Sequence, residues 1–433
     1  MPTPYPFFCL RCLLAVSLAA LCLVALTACG GGGDSATPPA TDTTAASTVD
    51  VAAQIASTQS AAITRAGGMA RLGQLLFTDT DLSEPRGTAC IACHQPDRGF
   101  AGNHGSRIGV ALGSQAGALG LRNAMTNSYT GSIAALHFVT SNGQTEAVGG
   151  HFWDGRADTL ALQALGPLLN PLEMNNPSRQ AVVAKVAASR YASLFQQQFG
   201  ANAFADTDAA FTYIGTAIAA FEQAALQPFS AKYDAVLRGR ARFTPAEARG
   251  MALFRDPQRA NCAGCHLMNP ASSNPQDSLF SEFTYYATGI PRNPAIPRNA
   301  DSRFYDLGLC GPERTAPTLP ADVAPGVTIA NFCGKFRMPT LRNVAERPAY
   351  MHNGYFKDLR EVVRFYATRA SDPQRWYGGS PLPDDLPAAY QGNLETAKAP
   401  FNRALGSAPL LSDTEINDIV AFLHTLSDGY FLP

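Results

Sequence analysis

Two short strings in this chain carry chemistry of their own: Cys90-Ile91-Ala92-Cys93-His94 and Cys262-Ala263-Gly264-Cys265-His266. Two thiols three positions apart can form thioethers to the two vinyl groups of a haem. The histidine that follows at once then reaches the iron from the proximal side. Structural zinc also takes Cys-x-x-Cys pairs. Here the pairs lie far apart and each is followed directly by histidine, in a chain that begins with an export signal, so covalent haem is favoured. Two c-type haems are therefore expected, attached through Cys90, Cys93, Cys262 and Cys265, with His94 and His266 as proximal ligands.

The elements that must position these strings read as helical. Phe211, Ile214, Ile218 and Phe221 recur at helical spacing between 208 and 226. Thr244-Pro245-Ala246-Glu247 is a capping box with proline at the first helical position, and Ser412-Asp413-Thr414-Glu415 opens a final helix through Ile416, Ile419, Val420 and Leu423. A further helix is expected over 358–368. A helix with Leu72, Leu75, Leu76 and Phe77 precedes the first cysteine pair, and one with Met251, Leu253 and Phe254 precedes the second. This weak repeat predicts a mainly α fold of two cytochrome c-like domains, 56–228 and 229–433, with the boundary near Gln227-Pro228.

Residues 1–29 read as a processing segment, with Arg11 followed by an apolar stretch over 13–26 that suits a signal peptide better than a membrane span. It ends in Leu26-Thr27-Ala28-Cys29, which resembles a bacterial lipobox; an ordinary signal with an incidental cysteine is the alternative. A flexible tether is expected over 30–55. Export to the periplasm follows in either case, with membrane attachment only through lipid on Cys29. Cys9, Cys12 and Cys22 leave with the signal, so Cys310 and Cys333 remain. In an oxidising compartment these favour a disulfide over unlinked thiols. The net charge of −1, with no long basic run, argues against a nucleic-acid partner.

Longer strings carry a family resemblance. Phe152-Trp153-Asp154-Gly155-Arg156-Ala157-Asp158, Gln163-Ala164-Leu165-Gly166-Pro167 and Asn170-Pro171-Leu172-Glu173-Met174 lie in the first half. Phe336-Arg337-Met338-Pro339-Thr340-Leu341-Arg342-Asn343 and Ala349-Tyr350-Met351-His352-Asn353-Gly354 lie in the second. Over roughly 60–430 the chain resembles the bacterial di-haem cytochrome c peroxidases and MauG. The resemblance implies hydrogen peroxide as substrate, with Glu173 as general acid–base above the first haem and Gln163 and Pro167 beside it. It implies Trp153 as an electron or hole relay between the haems. It also implies a calcium ion held by Asn123 and by the backbone carbonyls of Arg347 and Ala349, two positions that depart from the family's usual Thr and Pro.

The sixth ligand of the second haem separates the family's activities. Scavenging members carry methionine fourteen residues after the histidine that corresponds to His352; this chain has Tyr366 there, as MauG-like enzymes do. Met338, Met351, Met268 and His424 are the competing candidates. Phenolate ligation favours oxidised iron, whereas thioether ligation raises the potential. The loop 107–121 also lacks the histidine that blocks the first haem in many scavengers, and His104 reads as a loop residue. The leading expectation is a MauG-like enzyme whose high-valent di-haem state oxidises a partner protein or electron donor. The alternatives are a peroxide scavenger fed by a small cytochrome or copper protein, and a non-enzymatic electron carrier, which would leave Gln163 and Glu173 without purpose. MauG has a relay tryptophan just before the second motif, where this chain has Ala260-Asn261; Trp376 or a surface tyrosine is the substitute to consider.

Overall fold

Asp206 caps the longest helix, its carboxylate accepting from the backbone N–H of Asp208 and Ala209. That helix, α7 (Thr207–Ala225), buries Phe211, Ile214, Ile218 and Phe221, the residues whose spacing predicts it. The computed structural model describes residues 51–315 and 317–430, with side chains from 56 onward. The signal segment 1–29 with Cys29, and tether residues 30–50, lie outside the described residues. At 51–55 the expected tether is instead the start of helix α1 (Val51–Ala66). The reason is local: 51–66 holds neither glycine nor proline and is rich in alanine, so helix propensity outweighs the pull of the preceding small-residue run.

The first half continues with α2 (Gly68–Phe77), the single turn α3 (Cys90–Cys93), α4 (Leu160–Leu169), α5 (Arg179–Ala187), α6 (Ala192–Phe199) and α7. The second comprises α8 (Lys232–Leu237), α9 (Pro245–Arg255), α10 (Leu359–Thr368) and α11 (Asp413–His424). Both capping boxes form as read: Thr244 and Glu247 bond each other's backbone N–H groups, as do Ser412 and Glu415. Short 3₁₀ turns and loops join these helices, so the described chain is mainly α.

The helix before each cysteine pair crosses the last long helix of its half in the same way. Gly73 of α2 lies against the Ala217 carbonyl and Phe221 of α7; Gly250 of α9 lies against the Asp418 carbonyl and Phe422 of α11. A Cβ at either glycine would collide with backbone, so the close crossing requires that residue. Four positions on, Phe77 and Phe254 are buried in two separate apolar cores, one within 63–226 and one within 233–426.

Helical periodicity overlooked a hairpin. β1 (His137–Ser141) pairs antiparallel with β2 (Gln144–Val148) through a two-residue turn, Asn142-Gly143, both at positive φ. This is the Asn-Gly signal of a tight hairpin turn. A second pair joins β3 (Tyr285–Tyr286) to β4 (Phe336–Arg337).

Arg342 organises the second core. It is fully buried, pairs with buried Asp234 at 2.7 Å and donates to the carbonyls of Ser278 and Pro275. Tyr129, Phe229, Tyr233 and Phe280 surround the guanidinium at 5.2–5.7 Å. Tyr129 comes from the first half, so this one cation gathers both. Removing it strands Asp234 without a counter-charge in an apolar core. Arg342→Met is therefore expected to cost about 3–5 kcal/mol, read as a lower urea midpoint. The pair Arg342→Met with Asp234→Leu should recover part of that loss.

Candidate functional site

The turn α3 sets Cys90 and Cys93 on one wall of a cavity, with His94 beside them. His94 Nδ1 hydrogen-bonds the Phe100 carbonyl at 3.0 Å, which leaves Nε2 as the free ligating nitrogen. The second pair repeats the arrangement: Cys262, Cys265 and His266 border a second cavity, and His266 Nδ1 bonds the Phe280 carbonyl at 2.9 Å. Burial holds both imidazoles below their ordinary proton affinity, His266 down to about 4, so both are neutral ligands near pH 7.

The two cavities are built alike. Their walls are largely apolar, including Phe77, Leu160 and Ile218 in the first and Phe254, Leu359 and Val363 in the second. The four motif cysteines form no disulfide, whereas Cys310 and Cys333 are joined in one with Cα atoms 5.0 Å apart. Among the described residues, no three His, Cys, Asp or Glu side chains converge on a metal-sized point, so tetrahedral zinc would lack its ligand set. A large apolar ring, bound through two thioethers and one imidazole, fits both cavities.

Gln163 and Pro167 stand one turn apart on α4 and both face the first cavity. The chain then turns back through Glu173 N–H to Asn170 O and Met174 N–H to Pro167 O, which brings Glu173 to the same wall. Burial pushes the Glu173 carboxyl up to about 7; Arg156 opposes the rise, Glu313 adds to it, and a hydrogen bond from Asn170 opposes it. A carboxyl that titrates near neutrality can both accept and return a proton at physiological pH. Trp153 is buried, borders both cavities and donates from Nε1 to the Asn123 carbonyl at 2.8 Å. Tyr366 of α10 borders the second cavity, where burial raises its phenol further above the usual range. Met338 and Met351 border this cavity too, while Met268, His424 and His104 line neither. Trp376 is buried in the second core, its Nε1 bonded to Thr368 Oγ1 at 3.1 Å, so it offers no surface outlet.

Some polar groups in these cavities were not singled out by sequence. Arg156 lies within the quoted tryptophan string, and Glu313 follows Cys310-Gly311-Pro312; both line the first cavity. Glu222 also lines it, its Oε1 accepting from Asn127 at 2.6 Å and its Oε2 without a partner; burial lifts it to about 8. Its signal was a lone carboxylate on the buried face of an apolar helix. His352 stacks on Phe336 at 3.7 Å in the second cavity, its Nε2 without a hydrogen bond.

Asn123 and Ala349, expected at a calcium site, do meet, but with the wrong polarity. Asn103 Oδ1 accepts from Ala124 N–H, so Asn103 Nδ2 donates to Asn123 Oδ1 at 2.9 Å. That chain of bonds turns Asn123 Nδ2 toward the carbonyls of Ala349 and Met351 at 3.0 and 3.2 Å. Donors thus occupy the oxygens that a cation would need, and the guanidinium of Arg347 is buried close by in sequence. The set as arranged does not fit calcium.

Known proteins share this architecture. The family described as di-haem cytochrome c peroxidase matches residues 68–242. The methylamine utilization protein MauG of Paracoccus denitrificans is 34% identical over 372 residues, spanning 84% of this chain and 90% of that one. A cytochrome c551 peroxidase of Nitrosomonas europaea is 29% identical over 298 residues, 68% of this chain and 71% of its own. The crystal structure of the diheme peroxidase BthA from Burkholderia thailandensis superposes with a TM-score of 0.78 at 40% identity, covering 84% of this chain and 86% of that one.

The Asn123 bridge can be tested by metal removal. Dialysis against a chelator should leave the thermal midpoint of the holoprotein unchanged. Asn123→Asp should lower it, because a carboxylate would then face two carbonyl oxygens, at a cost of about 1–3 kcal/mol. A calcium-dependent midpoint, or stabilisation by the aspartate, would restore the ion.

Proposed function

The chain belongs to the di-haem cytochrome c peroxidase family, and from that membership we propose that it uses hydrogen peroxide in the MauG manner, to oxidise a partner protein or electron donor. The observation that carries this reading is Tyr366 at the wall of the second cavity, beside Cys262 and Cys265. When bound, the two haems supply the redox chemistry, in which peroxide is reduced by two electrons and a donor is oxidised by two. A phenolate ligand favours oxidised iron, and so suits a site that stores oxidising power better than one that stores electrons.

The side chains supply the protons and the geometry. His94 and His266 would ligate the two irons through Nε2, with Nδ1 anchored on backbone carbonyls. Glu173 would take a proton from one peroxide oxygen and return it to the other, the one that departs as water. Gln163 and Pro167 shape the space in which this happens. Trp153, bordering both cavities, is the relay between them. Support for peroxide chemistry over simple electron carriage comes from Glu173, since a carrier has no use for a buried carboxyl poised near neutrality.

The second reading, a peroxide scavenger fed by a small cytochrome or copper protein, is favoured by one observation: Met338 and Met351 also border the second cavity. We place the protein in the periplasm on the strength of the signal segment, with Cys29 as a lipid anchor; among the described residues no helix is long and apolar enough to cross a membrane.

Optical and EPR spectra of the holoprotein decide between the two readings. The MauG-like reading expects a low-potential second haem, and a peroxide-oxidised state that persists in wild type and shortens in Tyr366→Met. A high-potential, methionine-type spectrum in wild type, with rapid turnover of reduced cytochrome, establishes the scavenger instead. For the proton step, Glu173 must be ionised to accept, so the peroxide reaction should weaken as pH falls through about 7 and level off above it. Glu173→Gln should flatten that profile and slow the step by about 10²–10³-fold, as measured by stopped flow.

A further inference from the structure

The first cavity is not built by the first half of the chain alone. Segment 306–314 crosses from the second half and is pinned on both sides of Glu313. Upstream, Asp306 accepts from Nε and Nη2 of Arg122, at 2.6 and 2.7 Å. Downstream, Arg314 donates to the Gly155 carbonyl at 2.9 Å. Between them, Leu307 N–H bonds Gly311 O at 2.8 Å, Gly334 N–H bonds Leu307 O at 2.9 Å, and the Cys310–Cys333 disulfide closes the loop. Glu313 thereby reaches the cavity wall, 3.3 Å from Arg156 Nη2.

Arg156 is itself held in place. Its guanidinium lies over the Phe152 ring at 3.7 Å, and Nη1 contacts Asp154 at 3.0–3.1 Å. Asp154 is shared, since its Oδ2 also accepts from Arg122 at 2.7 Å. Glu313 is therefore the carboxylate that occupies the second arm of Arg156. We propose that Glu313, carried by the disulfide-closed loop, is a positioning residue for the peroxide reaction: it holds Arg156 at the cavity wall and keeps that guanidinium from pairing with Glu173. This rests on the reading of Glu173 as the acid–base group.

The physical case is one of competing charges in a poorly solvated space. Glu173 faces Arg156 and Glu313 as its charged neighbours, with the Asn170 amide and Cys93 nearby and Glu222 on the same cavity. A cation next to a carboxylate favours its ionised form, and an anion disfavours it. With Glu313 present, Arg156 pairs with two carboxylates, Asp154 and Glu313. Without it, Arg156 has one arm free, and Glu173 is the cavity carboxyl that already feels its charge. Glu173 would then be held ionised, a willing acceptor but a reluctant donor of the proton that the far peroxide oxygen needs.

Cyanide binding to the ferric holoprotein, followed optically from pH 5 to 9, reads the proton affinity of this cavity at equilibrium and without turnover. Glu313→Gln should move the break in the pH profile down by about one unit, and Arg156→Gln should move it up by a similar amount. The Cys310→Ser/Cys333→Ser pair should shift it in the same direction as Glu313→Gln. The second-haem spectrum and the thermal midpoint of Glu313→Gln, a near-isosteric change, report whether the fold is intact. A break that survives in Glu173→Gln overturns the acid–base assignment and this proposal with it. A break lost in Glu173→Gln but unmoved in Glu313→Gln, or moved the same way by both charge variants, overturns the role of Glu313 alone.

Discussion

A buried guanidinium cannot stand without counter-charges, and Arg122 has two: Asp154 from the first half and Asp306 from the second. Much of the region between the cavities hangs on that requirement. Asp154 sits in the turn that carries Trp153 and Arg156, and Asp306 leads into the disulfide loop that carries Glu313. The next residue along, Asn123, donates to Ala349 and Met351 and accepts Trp153 Nε1–H at its carbonyl. Two adjacent residues thus bind together the tryptophan relay, the acid–base cavity and the inner wall of the second cavity. Burial makes these bonds strongly interdependent, since losing one partner leaves a charge that water cannot reach.

Each half also devotes the centre of its core to a cavity. Helices close enough to enclose it must meet nearly backbone to backbone, and Gly73 on Ala217 and Gly250 on Asp418 allow this. Such a fold buries less of its own apolar surface against itself than a solid core does. A group held covalently in each cavity would add apolar contacts to these walls, which would couple its attachment to the stability of the chain. The thiols are placed for that attachment, whereas the two other cysteines among the described residues are consumed in the disulfide.

The same low-polarity interior moves several titrating groups at the cavities toward their neutral forms. His94 and His266 lose proton affinity and become ligands; Glu173 and Glu222 gain it and become acids that titrate near neutrality. Asp306 moves the other way: the guanidinium of Arg122 holds its carboxyl below the usual range.

Whatever depends on covalent spacing or on a single turn of backbone was legible in the residues alone. That includes the two haem-attachment strings, the capping boxes at Thr244 and Ser412, the apolar stripe of α7 and the helix that carries Tyr366. Local reading failed where a stronger local signal was overlooked, as with Asn142-Gly143 in the hairpin and the alanine-rich start of α1. What only the tertiary structure decided is which distant side chains meet. Glu313 faces Arg156 across more than one hundred and fifty residues of chain, and the Asn103–Asn123 amides point donors, not oxygens, at Ala349. No periodicity encodes such pairings. They follow from the requirement that each buried charge and carbonyl find a partner, and that requirement is met only when the whole chain has closed around the two cavities.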